Sequence, residues 1–177
     1  MLAISAILIT YNEQSDLPEA LESLRGVADE IVVVDSGSTD QTREIARQLG
    51  ARVVPRPFTN FGEQKNFAAA QATHEWVLSL DADERLSGEL RQSIAAWKQS
   101  APEYAAYEIN RKPNYLGGWI NHSGWYPEYC VRLYRRDSAR FVGALHESVH
   151  VKGGVGRLRG DILHYTIRTS AAGTPQT

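Results

Sequence analysis

With 177 residues, 42% of them hydrophobic, the chain has material for one compact domain with a sizeable core and too little for two. Its 19 basic and 21 acidic residues leave a formal charge of −2, which gives no global electrostatic case for nucleic acid or an anionic membrane as partner. The single Cys130 excludes an intrachain disulfide, and the opening run LAISAILIT is too short and interrupted for a signal h-region or a membrane span, so the chain reads as soluble and untargeted.

In chain order, residues 3–10 form a short apolar, β-branched run, and residues 17–25 carry Leu17, Ala20, Leu21 and Leu24 at helical spacing. EIVVV at 30–34 reads as a second buried strand. It ends in DSGSTD, whose Ser38, Thr39 and Asp40 are N-cap types ahead of a helix over 41–49 that Gly50 stops. A strand at 51–54, an Ala-rich helix at 62–72, a strand at 75–80 and a helix at 87–98 follow. The order βαβαβαβ predicts a mainly parallel, three-layer α/β sheet with ligands outside the carboxyl ends of the strands. From 102 to 134 the chain gathers aromatics with Gly and Pro and reads as irregular strands and loops.

Three strand ends deliver polar clusters to one sheet edge: Thr10, Tyr11, Asn12 and Glu13; Asp35, Ser36, Gly37 and Ser38; and Asp81, Asp83 and Glu84. Taken singly, each is what any strand-to-helix turn uses. Glu84 in particular reads as opening the next helix and favouring its dipole. Taken together they describe a crevice for a polar ligand, and the clustered carboxylates of VLSLDADERL ask for a cation or ion-pair partner.

The ordered succession ILITYNE, IVVVDSGSTDQT, QKNFA and VLSLDADE resembles the nucleotide-binding half of the inverting family 2 glycosyltransferases of GT-A fold, over roughly residues 3–98. The resemblance implies an α/β, Rossmann-like, mainly parallel sheet flanked by helices. Residues 1–98 would be a nucleotide-sugar-binding half, 99–169 a short irregular acceptor-side half, and 170–177 a disordered tail. It also implies a nucleotide-sugar donor, UDP-glucose, and a divalent Mg²⁺ or Mn²⁺ whose preference for hard oxygen ligands suits a departing diphosphate. By residue, Thr10, Tyr11 and Glu13 would hold the nucleobase. Asp35 sits in the acidic turn, followed here by Ser36 where many members carry a second Asp. Lys65 would reach the base or the pyrophosphate, Asp81 would orient donor hydroxyls, and Asp83 would ligate the metal, with His164 of DILHYT as a further contact. An acceptor hydroxyl needs a base, and Glu147 of FVGALHESVH resembles the acceptor-side acidic motif; Glu128, Asp137 and Asp161 are the other carboxylates available.

The stretch NYLGGWINHSGWYPEYCVRLYRR is similar to the bacterial lipopolysaccharide-core glucosyltransferases, which add glucose to an inner-core heptose. Trp119, Trp125 and Tyr126 would stack on sugar, and Arg132, with Arg135 and Arg136, would hold a lipid-linked or phosphorylated sugar acceptor. The implied setting is cytoplasmic, at the inner face of the inner membrane, with peripheral membrane contact and no nucleic acid. Two other readings share the α/β sheet: a non-catalytic nucleotide-sugar or glycan-binding module, and a nucleotidyltransferase. The latter calls for a glycine-rich basic loop where this chain has TYNEQSDL.

Overall fold

The run ISAILIT is apolar on both of its faces and forms β1 (Ile4–Thr10), an interior strand of the main sheet in a computed structural model of the chain. The structure describes residues 1–115, 118–119, 127–144, 147–165, 168–169 and 175–176. After β1 come α1 (Leu17–Ser23), β2 (Glu30–Asp35), α2 (Thr42–Gln48), β3 (Arg52–Pro55), α3 (Phe61–Gln71) and β4 (Trp76–Ser79). Then follow β5 (Glu84–Leu86), α4 (Gly88–Lys98), β6 (Ala106–Tyr115), β7 (Gly118–Trp119), β8 (Tyr129–Arg135), β9 (Ala139–Val142), β10 (Ser148–Val151) and β11 (Val155–Tyr165). Two short strands, β12 (Arg168–Thr169) and β13 (Pro175–Gln176), pair with each other; residues 170–174 and 177 of the expected tail lie outside the described residues.

The sheet order is β3-β2-β1-β4-β8-β6-β11-β5, with β7 paired to β6. β1, β2, β3 and β4 are mutually parallel, whereas β8 enters antiparallel between β4 and β6, and β11 returns parallel to β6. Period-two alternation sends Ile4, Ala6 and Leu8 into a core under α1, α2 and α4, and Ile7 into a second core under α3 and β9. The α/β class, mainly parallel with helices on both faces, is as the sequence predicts.

Sequence and structure part in two places. Glu84 does not open a helix. It belongs to β5, pairing opposite His164 of β11, and α4 starts only at Gly88 with Ser87 accepting the Leu90 N–H at 3.2 Å. The described residues of 102–134 are more regular than their composition suggests, because β6 and β8 are long strands satisfied by partners far away in sequence.

Candidate active site

The first two strand-end loops are tied into one surface. Asp35 is buried at the end of β2; its Oδ1 accepts the N–H groups of Gly37 and Ser38 at 3.0 and 2.8 Å, and its Oδ2 accepts the hydroxyls of Thr10 and Ser38 at 2.7 and 2.5 Å. Burial favours the neutral acid, but these four donors outweigh it and hold Asp35 below the usual carboxylate range. Both oxygens are thereby spent on shaping the turn. Across the gap the Asn12 N–H donates to Ser38 Oγ at 2.9 Å, with Asn12 itself at φ 53°, and the Glu13 N–H donates to Thr42 Oγ1 at 2.8 Å. Tyr11 is left 57% exposed beside them.

A cavity of about 300 Å³ opens at this edge, lined by Glu13, Phe61, Lys65, Asp81, Asp83, Arg111, Glu147 and His164, with Ile9 and Ala82. Six regions distant in sequence converge there: the β1 loop, α3, the acidic turn after β4, the middle of β6, the residue ahead of β10, and the end of β11. Lys65 projects from α3 and donates to Glu147 Oε1 at 2.7 Å, with its Nζ 3.4 Å from Asp81 Oδ1. For Glu147 burial again opposes ionisation, yet the Lys65 bond and charge prevail and keep its carboxyl below the ordinary value. Asp81 goes the other way: burial and the neighbouring Glu84 push it up, against Arg132 and Lys65. Glu13, half-buried and facing Asp83, Asp16, Asp40 and Asp81, is pushed up to about 7, burial being the largest cause.

Asp83 and His164 meet at the opposite wall, Oδ2 to Nε2 at 3.0 Å, and the Asp83 carbonyl accepts the Tyr165 N–H at 3.0 Å. The Asp83–His164 distance is the spacing of a direct hydrogen bond, and about 3 Å is also the spacing of neighbouring ligands on an octahedral ion with bonds of about 2.1 Å. Among the described residues no cluster of three His, Cys, Asp or Glu forms a complete metal cage. A hard divalent ion at this pair would take its remaining positions from water and ligand phosphate oxygens.

The structure brings together Thr10 with Asp35, and Glu13, Lys65, Asp81, Asp83, Glu147 and His164. It places Arg132 elsewhere: nearly buried beneath the acidic turn and bonded twice to Glu84, at 2.6 and 2.9 Å, with no surface for an acceptor. Arg135 and Arg136 lie at the far end of β4, since antiparallel β8 runs away from the site. Arg135 pairs with Glu75 and covers the Trp76 ring, while Arg136 donates to the Ala72 carbonyl. Trp119, 39% exposed on β7, stands edge-on to Tyr165 at 5.5 Å. Trp125, Tyr126 and His146 lie outside the described residues. Glu128, Asp137 and Asp161 do not line the cavity. Arg111 and Phe61 do line it and escape sequence reasoning. Arg111 sits within the aromatic-rich stretch read as irregular, and exposed Phe61 looks like an ordinary first-turn residue after its N-cap, Asn60.

The crevice opens at the carboxyl ends of β1 and β4, with an acidic turn on its floor. Residues 5–159 match the Glycosyl transferase family 2 model, and the chain belongs to that family. An uncharacterized glycosyltransferase of Rickettsia typhi is 36% identical over 154 residues, 85% of this chain and 52% of that protein. The lipopolysaccharide core biosynthesis glycosyltransferase LpsC of Rhizobium meliloti is 34% identical over 177 residues, covering 93% of this chain and 63% of LpsC. Among solved structures, S. aureus TarS 1–349 in complex with UDP is 26% identical with a TM-score of 0.59, over 76% of this chain and 47% of TarS. The fold is thus GT-A, and the chain spans about half the length of the Rickettsia relatives.

Proposed function

We propose that the chain catalyses metal-dependent, inverting transfer of a hexose from a UDP-sugar, UDP-glucose, to a sugar hydroxyl of a cell-envelope glycan such as lipopolysaccharide inner-core heptose. The observation that carries this reading is the single cavity in which Glu147 and Lys65 face the Asp83–His164 pair. Similarity to UDP-bound TarS supports the nucleotide, and similarity to LpsC supports the acceptor class.

In this scheme the pocket of Thr10, Tyr11 and Glu13, braced by the Asp35 turn, receives the uracil, and Asp81 orients donor hydroxyls. Asp83 and His164 hold the divalent ion, which when bound neutralises charge on the departing diphosphate. An imidazole among the donors favours Mn²⁺ over Mg²⁺. Lys65 exchanges its carboxylate partners for a diphosphate oxygen, freeing Glu147 to take the acceptor proton as the hydroxyl attacks. Trp119, with Trp125 and Tyr126, offers apolar faces to the acceptor sugar. Among the described residues no helix is long and apolar enough to cross a membrane; donor chemistry puts the reaction on the cytoplasmic side, reaching a lipid-linked acceptor peripherally.

The test is glucose transfer from labelled UDP-glucose to heptose-terminated lipopolysaccharide, with Mn²⁺ or chelator, for wild type, Asp83→Ala and Glu147→Gln. Mn²⁺-dependent transfer lost in both variants supports the scheme. Donor binding without turnover in the wild type would instead favour the binding-module reading.

A further inference from the structure

Glu84 shares the acidic turn with Asp81 and Asp83 but does not line the cavity, and its side chain is fully buried. Its Oε1 accepts from Arg111 Nε and Arg132 Nη2, both at 2.9 Å. Its Oε2 accepts from Arg132 Nη1 at 2.6 Å and from the backbone N–H of Asp81 at 2.9 Å. Every lone-pair direction of the carboxylate is used. Two of the donors lead onward: Arg111 Nη2 reaches within 3.1 Å of His164 Nε2, and Arg132 Nη1 also donates to the Ser79 carbonyl at 3.2 Å, where β4 ends.

A buried carboxylate between two guanidinium groups is a poor way to gain stability, since desolvating the charges offsets most of their attraction and apolar replacements of similar volume often do as well. Geometry is what this cluster supplies. It fastens the start of the Asp81-Ala82-Asp83 turn, which carries one of the two groups that stand 3.0 Å apart, and keeps the Arg111 guanidinium beside the other.

We propose that Glu84 is a positioning residue for the donor and its cation: through the Asp81 N–H it fixes the acidic turn, and with it the place of Asp83. The inference rests on the donor-and-metal reading above. Residues that orient metal ligands without touching the metal typically contribute 10- to 100-fold in affinity.

The experiment is calorimetric titration of the full chain with UDP, in Mn²⁺ and in chelator, for wild type, Glu84→Gln and Glu84→Asp. The readout is the ratio of the two dissociation constants. Glu84→Gln keeps the shape but sets an amide donor against two of the four donors. Should its thermal unfolding show that it does not fold, Glu84→Asp keeps the charge between the arginines and falls one methylene short of the Asp81 N–H. A positioning role lowers the Mn²⁺-dependent advantage by about 10- to 100-fold while UDP binding in chelator changes little. A folded variant with the wild-type ratio overturns the proposal, because a purely structural residue changes stability and leaves that ratio alone. A wild-type chain whose UDP binding ignores Mn²⁺ overturns the metal reading itself, and this inference with it.

Discussion

Lys65 and Glu147 are 82 positions apart in the chain and 2.7 Å apart in the fold, and that contact sets the chemistry of the candidate base. While the ammonium is bonded to it, Glu147 is ionised but weakly basic. Removing the cation in Lys65→Met leaves burial opposed only by a backbone hydrogen bond and the Arg132 charge, so the Glu147 carboxyl rises. The acid limb of the kcat/KM profile then moves to higher pH. A limb that stays put would show that Glu147 is not the titrating base. Glu147→Gln should lower kcat by roughly 10²- to 10⁴-fold and leave UDP binding nearly unchanged. Glu13 obeys the opposite linkage. Its folded value near 7 lies above its ordinary 4.5, so the folded state holds the proton more tightly than the unfolded chain, and stability falls as pH rises between those values. Glu13→Gln therefore stabilises the fold by about 1 kcal/mol above pH 7, after allowing for solvent screening of a half-exposed group, and by nothing below pH 4. Denaturant midpoints of the two proteins at pH 4 and pH 8 give the answer; equal gaps at both would refute the assignment.

Between elements, the decisive contact is α3 against the β9–β10 hairpin, because one carries Lys65 and the other leads from Glu147. Asn66 clips them together, donating to the Phe141 carbonyl and accepting the Phe141 N–H, each at 2.8 Å. Gly62 makes the close approach: a Cβ there would stand 2.7 Å from the Gly143 carbonyl oxygen, a backbone atom that cannot swing aside. Gly62→Ala should cost about 1–3 kcal/mol of stability and spread the hairpin from the helix, so that kcat falls more than UDP affinity does. A variant with wild-type kcat would mean that the hairpin moves independently of the base. This level of structure shows where the sequence stops speaking. The first seven elements are legible because each carries a period or, in α3, a run of alanines, together with punctuation such as Gly50 with φ 88° after α2. β5, three residues long, has no period to read, and its true partners are Arg111, Arg132 and His164, between 27 and 80 positions away. Glu84 accordingly looks like a helix-opening acid until the sheet is assembled.

At the scale of the whole molecule, antiparallel β8 slots between β4 and β6 and brings the second half of the chain beside the first, so that the cavity has walls from both. Glu13, Asp81 and Asp83, which line the cavity, were legible in ordered motifs at strand ends, whereas Arg111 and the burial of Arg132 depend on sheet order that no local pattern encodes. A site assembled across the entire sheet couples ligand binding to global stability, because a ligand that needs Thr10, Asp83 and His164 together binds only the folded chain. At a free concentration 100 times its dissociation constant, such a ligand adds about 2.7 kcal/mol. For a chain of this size that corresponds to a rise in Tm of roughly 5–10 °C. UDP with Mn²⁺ should produce this rise, and UDP with chelator a smaller one, since the Thr10–Glu13 pocket would act alone. Asp83→Ala should retain the smaller rise and lose the difference. If Asp83→Ala keeps the full Mn²⁺-dependent rise, the cation sits elsewhere, and the Asp83–His164 pair reverts to an ordinary surface hydrogen bond. If UDP gives no rise under either condition, the crevice does not take a uridine nucleotide, and the donor must be sought among other bases, as Ser36 in place of a second acidic residue would then explain.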